Sequence, residues 1–478
     1  MNMFRRLKNR WHDEGGYGEV LRIAVPLIIS TGSWSVQHFV DRMFLTWYSP
    51  EAIAAAMPAG MLSFTVSCIF IGTASYAGTF VAQYYGAGRH DRCGPSLWQG
   101  IYVALFGGML QMLLIPLAGP IFRVIGHAPE IQECERIYFV ILSFGAMPAI
   151  AASALAAFYS GLGKTWPIMW VNLAVTAVNL SLDWLLIFGH GGFPEMGIAG
   201  AGIATTSAFF FSVAVYFVLI LRPAHNRAFN TVSGWRPDGE LLRRLIRYGL
   251  PSGIHFFIEI AAFTAFIILI GKLGTNALAA SNIAFNINTL AFMPMIGIGI
   301  AVSVLVGQRL GEDNPKLAER STYSAFHLTF LYMAVVALFY VAWPDLFIQP
   351  FAARSDPVRF TAIRELTIVL LRFVAVYSLF DALNIIFASA IKGAGDTRYV
   401  MVMELILSVA VMIIPSYLAV MYLSLGIFGG WICATLYITA LGIAFYGRFR
   451  GGRWKGMRVI EERVVSIPPR LPEAPTME

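Results

Sequence analysis

The stretch FVAQYYG at residues 80–86 recurs as LVGQRLG at residues 305–311. It ends a longer segment, residues 21–86, that is repeated 225 positions later without a gap. The identical pairs include Arg22 and Arg247, Pro26 and Pro251, Gln83 and Gln308, and Gly86 and Gly311. A second region of repeated sequence, with an offset near 229, covers the later part of each half. The chain therefore contains an internal sequence repeat, which predicts a fold made of two similar halves.

Hydrophobic residues make up 58% of the chain and charged residues 13%, whereas a soluble domain carries about 25% charged residues. Several apolar runs are long enough to cross a hydrocarbon core about 30 Å thick. The composition therefore predicts an all-α polytopic membrane protein. We place twelve spans near residues 20–47, 52–85, 96–118, 131–159, 166–189, 197–221, 243–272, 277–310, 317–349, 359–391, 398–422 and 426–447.

The interior segment 222–242 divides six predicted spans from six others. We therefore expect an N-terminal tail (1–19), an N-lobe (20–221), this linker, a C-lobe (243–447) and a C-terminal tail (448–478). Because six is an even number, both halves enter the membrane from the same side, so the two repeats are parallel. Two six-helix lobes around a central cavity are typical of secondary transporters, which handle their substrate between the repeats.

Most of the 34 Lys and Arg residues fall in the tails and in the loops on the same side as the tails. The positive-inside rule then predicts that both termini are cytoplasmic. The net charge of +7 reflects this bias, and no basic stripe interleaved with aromatic residues indicates nucleic-acid binding. We expect membrane lipid as a partner and a monomeric chain.

The N-lobe contains two carboxylates inside predicted spans, Asp41 and Asp183. A charge at the centre of a membrane costs about 2.5–3.5 kcal/mol on insertion scales, so such residues are functional candidates. Asn179 lies four residues before Asp183 and hence on the same helix face, while Gln37 and His38 flank Asp41 in the same way. This grouping indicates a cation or proton site, although an interhelical hydrogen-bond cluster would use the same residues.

The C-lobe contains a second group. Glu259 lies near the middle of the seventh span with His255 four residues before it, and Asp381 lies in the tenth span. Tyr377 and Asn384 lie on the same face as Asp381. This group is also capable of binding a cation, and its alternative interpretation is again a set of structural polar contacts.

The two groups are not images of one another in the repeat. At an offset of 225, Asp41 falls on Phe266 and Glu259 on Trp34. We therefore take the four carboxylates Asp41, Asp183, Glu259 and Asp381 as candidate ligands for Na⁺ or H⁺. Two other charged residues in spans, Arg372 and Glu404, are interpreted either as an intramembrane pair or as side chains tilted toward the interface.

The order of several short motifs resembles the multidrug and toxic compound extrusion (MATE) family over roughly residues 20–447, in particular its bacterial branch often described as sodium-coupled. The matching motifs are Pro26…Asp41…Ala52, Asn179…Asp183 followed by Gly200-Ala-Gly-Ile-Ala-Thr205, Ala279-Ala-Ser-Asn282-Ile, Pro294…Gly299…Val306-Gly-Gln308-Arg-Leu-Gly311, and Lys392-Gly-Ala-Gly-Asp-Thr397. Trp184 departs from the family, because proline is common there.

The resemblance implies an efflux antiporter for cationic, amphipathic compounds, driven by Na⁺ or H⁺ through alternating access and without a cofactor. It implies ligand roles for Asp41, Asn179, Asp183 and Thr205 in the N-lobe, and for Glu259, Tyr377 and Asp381 in the C-lobe. Asn282, within a matching motif, joins the C-lobe candidates.

Three alternatives remain. A flippase for lipid-linked saccharides would have the same topology, but its anionic substrate calls for a cationic cavity, and the charges inside the spans are mainly acidic. A sensor or scaffold would need a sizeable soluble domain. No sequence motif for catalysis is complete, so an enzyme is not expected. The sequence does not decide between Na⁺ and H⁺.

Overall fold

The computed structural model describes residues 10–352 and 357–461. Within these ranges, twelve helices are long and apolar enough to cross a membrane, which confirms the predicted fold class. We number them α1 to α12. Their bounds are Tyr17–Tyr48, Pro50–Gly86, His90–Ile125, Pro129–Gly161, Trp166–Phe188, Gly197–Ile220, Gly239–Gly271, Thr275–Gly311, Pro315–Ala342, Phe360–Ala394, Thr397–Met421 and Gly426–Arg450.

Local sequence sets where several of these helices begin. Ser49 accepts a hydrogen bond from the Ala52 backbone N–H at 3.0 Å, and Pro50 occupies the first turn of α2. Asp238 caps α7 in the same way. Such caps satisfy backbone N–H groups that have no partner inside the helix, and proline loses nothing there because its missing N–H is one of them.

Two elements differ from the sequence prediction. The ninth helix ends at Ala342 instead of near residue 349, and Pro344–Ala352 forms a separate short helix. Proline cannot continue the backbone hydrogen bonding of α9, which explains the break. In α11, residues Ser408–Ile413 are π-helical. Short π-helical turns of this kind are rare and are found frequently at functional sites.

The two halves meet through their first two helices. The α1 helix packs against α8, and α7 packs against α2. A Cβ atom on Gly72 of α2 would lie 2.7 Å from Gly253 Cα of α7, and one on Gly297 of α8 would lie 2.8 Å from Ile28 of α1. Since these pairs occupy equivalent positions 225 residues apart, the interface between the halves follows the sequence repeat.

Both described ends of the chain lie on one side of the molecule, which we call the tail side. Near the first end, Arg320 at the start of α9 donates to Asp13 at 2.6 Å. Near the other, Lys455 donates to Glu319 of α9 at 2.6 Å. The linker also lies on this side, where the Trp98 indole N–H of α3 donates to the Thr231 carbonyl at 2.8 Å.

Candidate functional site

In the N-lobe, α1 and α5 pack against each other and bring together most of the residues predicted to form a site. Asp183 and Asn179 are fully buried, and Asp41 and Gln37 are nearly so. With its nitrogen toward the carboxylates, the Asn179 amide donates to Asp41 Oδ1 at 3.0 Å and to Asp183 Oδ2 at 3.2 Å. Gln37 Nε2 lies 3.2 Å from the same amide group. Asn179 therefore joins both carboxylates in one cluster.

The carboxyl groups of Asp41 and Asp183 lie close to each other, since the one Asn179 amide contacts both. Two buried carboxylates this close together favour binding of a proton or a cation, because their like charges repel each other. Asp183 Oδ1 is buried and receives no hydrogen bond from an N–H or O–H group within the described ranges. Tyr138 of α4, which the sequence did not single out, lies within electrostatic range of both carboxylates. The cluster thus offers buried oxygens to a proton or a small cation.

Two predicted N-lobe residues lie outside this cluster. His38 is exposed on α1 and its ring lies 5.0 Å from the ring of Trp34. The helix turns by about 100° per residue, so His38 lies at the edge of the face that Gln37 and Asp41 share, and none of the hydrogen bonds described for this cluster involves its ring. Thr205 is half-buried on α6, and none of the hydrogen bonds described for this cluster involves its hydroxyl.

In the C-lobe, Asp381 and Tyr377 are buried on one face of α10. The Asn384 side-chain amide donates to Asp381 Oδ1 at 3.1 Å. Glu259 of α7 is half-buried and lies within electrostatic range of Asp381. The structure therefore brings Glu259, Tyr377 and Asp381 into one region, as the sequence predicted.

A third carboxylate, Glu404 of α11, extends this region. Its side chain is 2% exposed and accepts a short hydrogen bond from the Tyr437 hydroxyl of α12. His255 Nε2 lies 3.7 Å from the other carboxylate oxygen, and the Lys392 ammonium is within electrostatic range of both Glu404 and Glu259. Glu404 thus faces α7 and α12, and Arg372 is exposed on α10. Both interpretations of Glu404 from the sequence, a pair with Arg372 and a tilt toward the interface, are wrong, since neither accounts for a carboxylate buried between helices.

Asn282 is exposed on α8, whereas the adjacent Ser281 is buried and accepts a hydrogen bond from the Trp431 indole at 3.1 Å. Asn282 is thus exposed and not buried with Asp381 and Tyr377. Within the described ranges, no group of three or more His, Cys, Asp and Glu side chains is placed to hold a metal ion. The four candidate carboxylates are divided between the lobes.

Hydrogen bonds related by the repeat join the two halves on the tail side. Gln83 at the end of α2 donates to the Gly393 carbonyl at 3.0 Å. Its repeat partner, Gln308 at the end of α8, donates to the Gly161 carbonyl at 2.9 Å. The Tyr76 hydroxyl adds a hydrogen bond to the Lys392 carbonyl at 2.7 Å. The lobes are therefore in direct contact at this side of the molecule.

The segment after α12 adds contacts that have no counterpart in the repeat. The Val459 backbone N–H donates to Gln83 Oε1 at 2.8 Å. The Glu461 carboxylate accepts hydrogen bonds from Tyr84 and Arg89 of the N-lobe and from Arg244 of the C-lobe. Burial alone would raise the pKa of Glu461, but the hydrogen bonds from Tyr84, from its own backbone N–H and from Arg89 lower it to about 2. Glu461 is therefore an ionised bridge between the lobes.

Comparison with known proteins identifies the family. The MatE family profile matches residues 26–185 and 251–418. The chain is 30% identical over 389 residues to the multidrug resistance protein PmpM of Pseudomonas aeruginosa, covering 81% of this chain and 80% of that protein. It is 29% identical over 407 residues to the probable multidrug resistance protein NorM of Brucella suis, covering 83% and 84%.

Among solved structures, an outward-facing conformation of a multidrug resistance MATE family transporter of the MOP superfamily has the same fold. Its TM-score is 0.84 at 20% sequence identity, covering 94% of this chain and 98% of that one. Two halves matched by one family profile agree with the repeat and with the twelve helices. The chain belongs to the MatE (MATE) family of membrane transporters.

Proposed function

We propose that this protein is a secondary active multidrug efflux antiporter, which exports cationic, amphipathic compounds in exchange for Na⁺ or H⁺. The names of PmpM and NorM as multidrug resistance proteins support export of several drugs. The observation that carries the proposal is the Asp41–Asn179–Asp183 cluster, a buried pair of carboxyl groups that one amide joins.

Such a pair couples two ligands through charge. When the carboxyl groups ionise, their negative charge attracts a cationic drug. When a proton or Na⁺ binds them, that charge is neutralised and the affinity for the drug falls. Antiport requires this difference, because an ion that bound equally well to both states would drive nothing. The C-lobe region around Glu259 and Asp381 is a second place for the coupling ion.

Apolar side chains near the interface between the lobes are suited to the body of an amphipathic drug. Trp34 of α1 and Met57 and Met61 of α2 are exposed. Phe64 of α2 and Phe256 of α7 meet edge to face across the interface at 5.8 Å. Aromatic faces bind cations, and methionine side chains adapt to ligands of different shape. This combination suits several drugs rather than one.

Alternating access is supported by the contacts between the halves on the tail side. The distribution of Lys and Arg predicts that this side and both termini face the cytoplasm, with the protein in the bacterial inner membrane. The Gln83 and Gln308 hydrogen bonds then close the cytoplasmic side. To load a drug from the cytoplasm, the lobes rock about the axis of the repeat and break these contacts. We further propose that the protein acts as a monomer surrounded by lipid, with no cofactor and no catalytic step.

The proposal is tested with purified protein in liposomes that contain ethidium, under an imposed Na⁺ gradient alone and then a proton gradient alone. We expect at least one gradient to drive ethidium movement well above the rate in liposomes without protein. Whichever gradient drives the movement identifies the coupling ion. If neither gradient moves ethidium, or if both rates equal that of an Asp41→Asn/Asp183→Asn variant, antiport through this cluster is wrong.

A further inference from the structure

A basic cleft lies on the tail side of the C-lobe, between the beginnings of α7 and α11. It has a volume of about 650 Å³ and is open on one side. Its lining residues are Glu240, Arg243, Arg244, Ile246, Arg247 and Arg398. Arginine side chains therefore dominate the cleft, which contains none of the candidate carboxylates of the two lobes.

Only part of this charge is neutralised by the protein. Arg244 is committed to acidic groups, because it pairs with Glu240 at 2.9 Å and with Glu461 at 2.6 Å. Arg243, Arg247 and Arg398 are exposed, and none of them has a carboxylate partner within residues 10–352 and 357–461. The cleft thus presents three guanidinium groups, which match the geometry of phosphate oxygens and form paired hydrogen bonds with them.

The helices continue from these arginines with apolar side chains on the same faces. On α7, Ile246 and Leu250 follow Arg243 at spacings of three and seven residues, and both are exposed. On α11, Val402 and Leu405 follow Arg398 at spacings of four and seven, and both are exposed. Residues at these spacings lie on one face of a helix. These exposed apolar faces, within helices long enough to cross a membrane, are suited to contact with its hydrocarbon.

The charge of the cleft is not inherited from the repeat. At an offset of 225, Arg243 and Arg244 fall on Gly18 and Glu19, and only Arg247 falls on an arginine, Arg22. The positive-inside rule concerns the total of basic residues on one side and does not require three of them in one cleft. The concentration of arginines in the C-lobe therefore needs a separate explanation.

We propose that this cleft binds an anionic phospholipid, with its phosphate held by Arg243, Arg247 and Arg398 and its acyl chains along the exposed faces of α7 and α11. Basic pockets between membrane helices on the cytoplasmic side bind lipid headgroups in this way. The apolar faces that follow the arginines along α7 and α11 favour a lipid over free phosphate, because free phosphate has no acyl chains to contact them. The site is separate from the transport clusters, and its occupancy does not depend on the proposed antiport.

The test is native mass spectrometry of the purified full-length protein, titrated with phosphatidylglycerol or with phosphatidylcholine of the same acyl chains. We expect the wild-type protein to bind one phosphatidylglycerol molecule more tightly than phosphatidylcholine. The variant Arg243→Gln/Arg247→Gln/Arg398→Gln should bind phosphatidylglycerol at least roughly tenfold more weakly. Inorganic phosphate at millimolar concentration should leave the bound lipid in place.

The control variant Arg22→Gln/Arg227→Gln/Arg236→Gln removes the same charge from exposed tail-side positions and includes the repeat partner of Arg247. It should bind phosphatidylglycerol as the wild type does. Arg398→Gln alone serves if the triple variant does not fold, and it should weaken binding in the same direction. Equal binding of both lipids, an equal loss in the control, or displacement of the lipid by phosphate would each overturn the proposal.

Discussion

At the scale of single residues, burial makes Asp183 an unusual side chain. It is fully buried and lies beside a second carboxyl group. Within the cluster, the uncharged Asn179 amide donates a hydrogen bond to it. An isolated buried charge is costly, and two buried carboxyl groups side by side favour the binding of a proton or a cation. Substitutions that keep the shape of a side chain but remove its charge therefore test the ionisation of the cluster without changing its packing.

We predict that Asp41→Asn abolishes transport of ethidium in liposomes while the protein remains folded. Asparagine has the same shape and still forms hydrogen bonds with Asn179 and Asp183, but it cannot ionise to attract the drug. Folding is followed by gel filtration and thermal unfolding. The control Glu133→Gln removes an exposed carboxylate that pairs with Arg136 of the same helix and should transport normally. Full transport by Asp41→Asn would show that this carboxylate is not needed.

We also predict that Glu404→Gln changes the dependence of transport on the coupling ion. Glutamine still accepts the hydrogen bond from Tyr437, so the loss is one of charge beside His255. The measurement is the transport rate as a function of Na⁺ concentration and of pH. The control is Glu365→Gln, at an exposed position of α10. Curves that superimpose for the wild type and both variants would restrict Glu404 to a structural role.

At the scale of elements, the ends of α2 and α8 approach each other closely. A Cβ atom on Gly86 would lie 2.0 Å from the Gln308 carbonyl oxygen, and one on Gly311 would lie 2.2 Å from the Gln83 carbonyl oxygen. Both contacts involve backbone atoms, which cannot move aside as a flexible side chain would. Glycine at these two repeat positions is therefore what allows the helix ends to approach and the tail side to close.

We predict that Gly86→Ala shifts the protein away from the closed tail side. Its methyl group has no space in the closed contact and meets no such restriction once the lobes separate. Distances between spin labels at the exposed tail-side positions Asp91 and Lys316, with the native cysteines replaced, should become longer and broader. The control Gly447→Ala adds a methyl group where no atom lies within 4 Å and should leave the distances unchanged. Unchanged distances in Gly86→Ala would mean that the contact does not control closure.

At the scale of the whole molecule, a nearly symmetric scaffold carries features that break its symmetry. The Gln83 and Gln308 contacts are images of one another, whereas the carboxylate clusters and the segment after α12 are not. Glu461 in this segment connects both lobes through Tyr84, Arg89 and Arg244. The closed tail side is thus held by one symmetric set of contacts and one asymmetric set.

We predict that Glu461→Gln weakens closure of the tail side. The neutral amide cannot form ion pairs with Arg89 and Arg244, so the segment 457–461 should separate more often from the lobes. Hydrogen–deuterium exchange of this segment, measured by mass spectrometry, should be faster than in the wild type. Glu312→Gln, which removes an exposed acidic partner of Arg309, is the control. Equal exchange in Glu461→Gln and the wild type would contradict a bridging role.

The same bridge has a defined pH dependence. The pKa of Glu461 is about 2 in the folded protein, below its ordinary value of 4.5. A lowered pKa contributes stability that is fully present above the ordinary value and is lost as the pH falls from there toward 2. Exchange of segment 457–461, corrected for the intrinsic rate, should therefore be constant between about pH 6 and pH 8. It should increase only in acid, and a change near neutral pH would mean that another group controls the segment.

The sequence by itself determined the twelve spans, the two parallel halves and the core of the N-lobe cluster. Apolar runs set the spans, and the four-residue spacings of Gln37 to Asp41 and of Asn179 to Asp183 placed each pair on one helix face. Only the tertiary structure decided which faces meet. It left His38 and Asn282 exposed, and it joined Glu404 to Tyr437 and His255, and Glu461 to both lobes. The physical reason is that helical periodicity fixes neighbours within one helix, while contacts between helices distant in the chain depend on how whole faces pack.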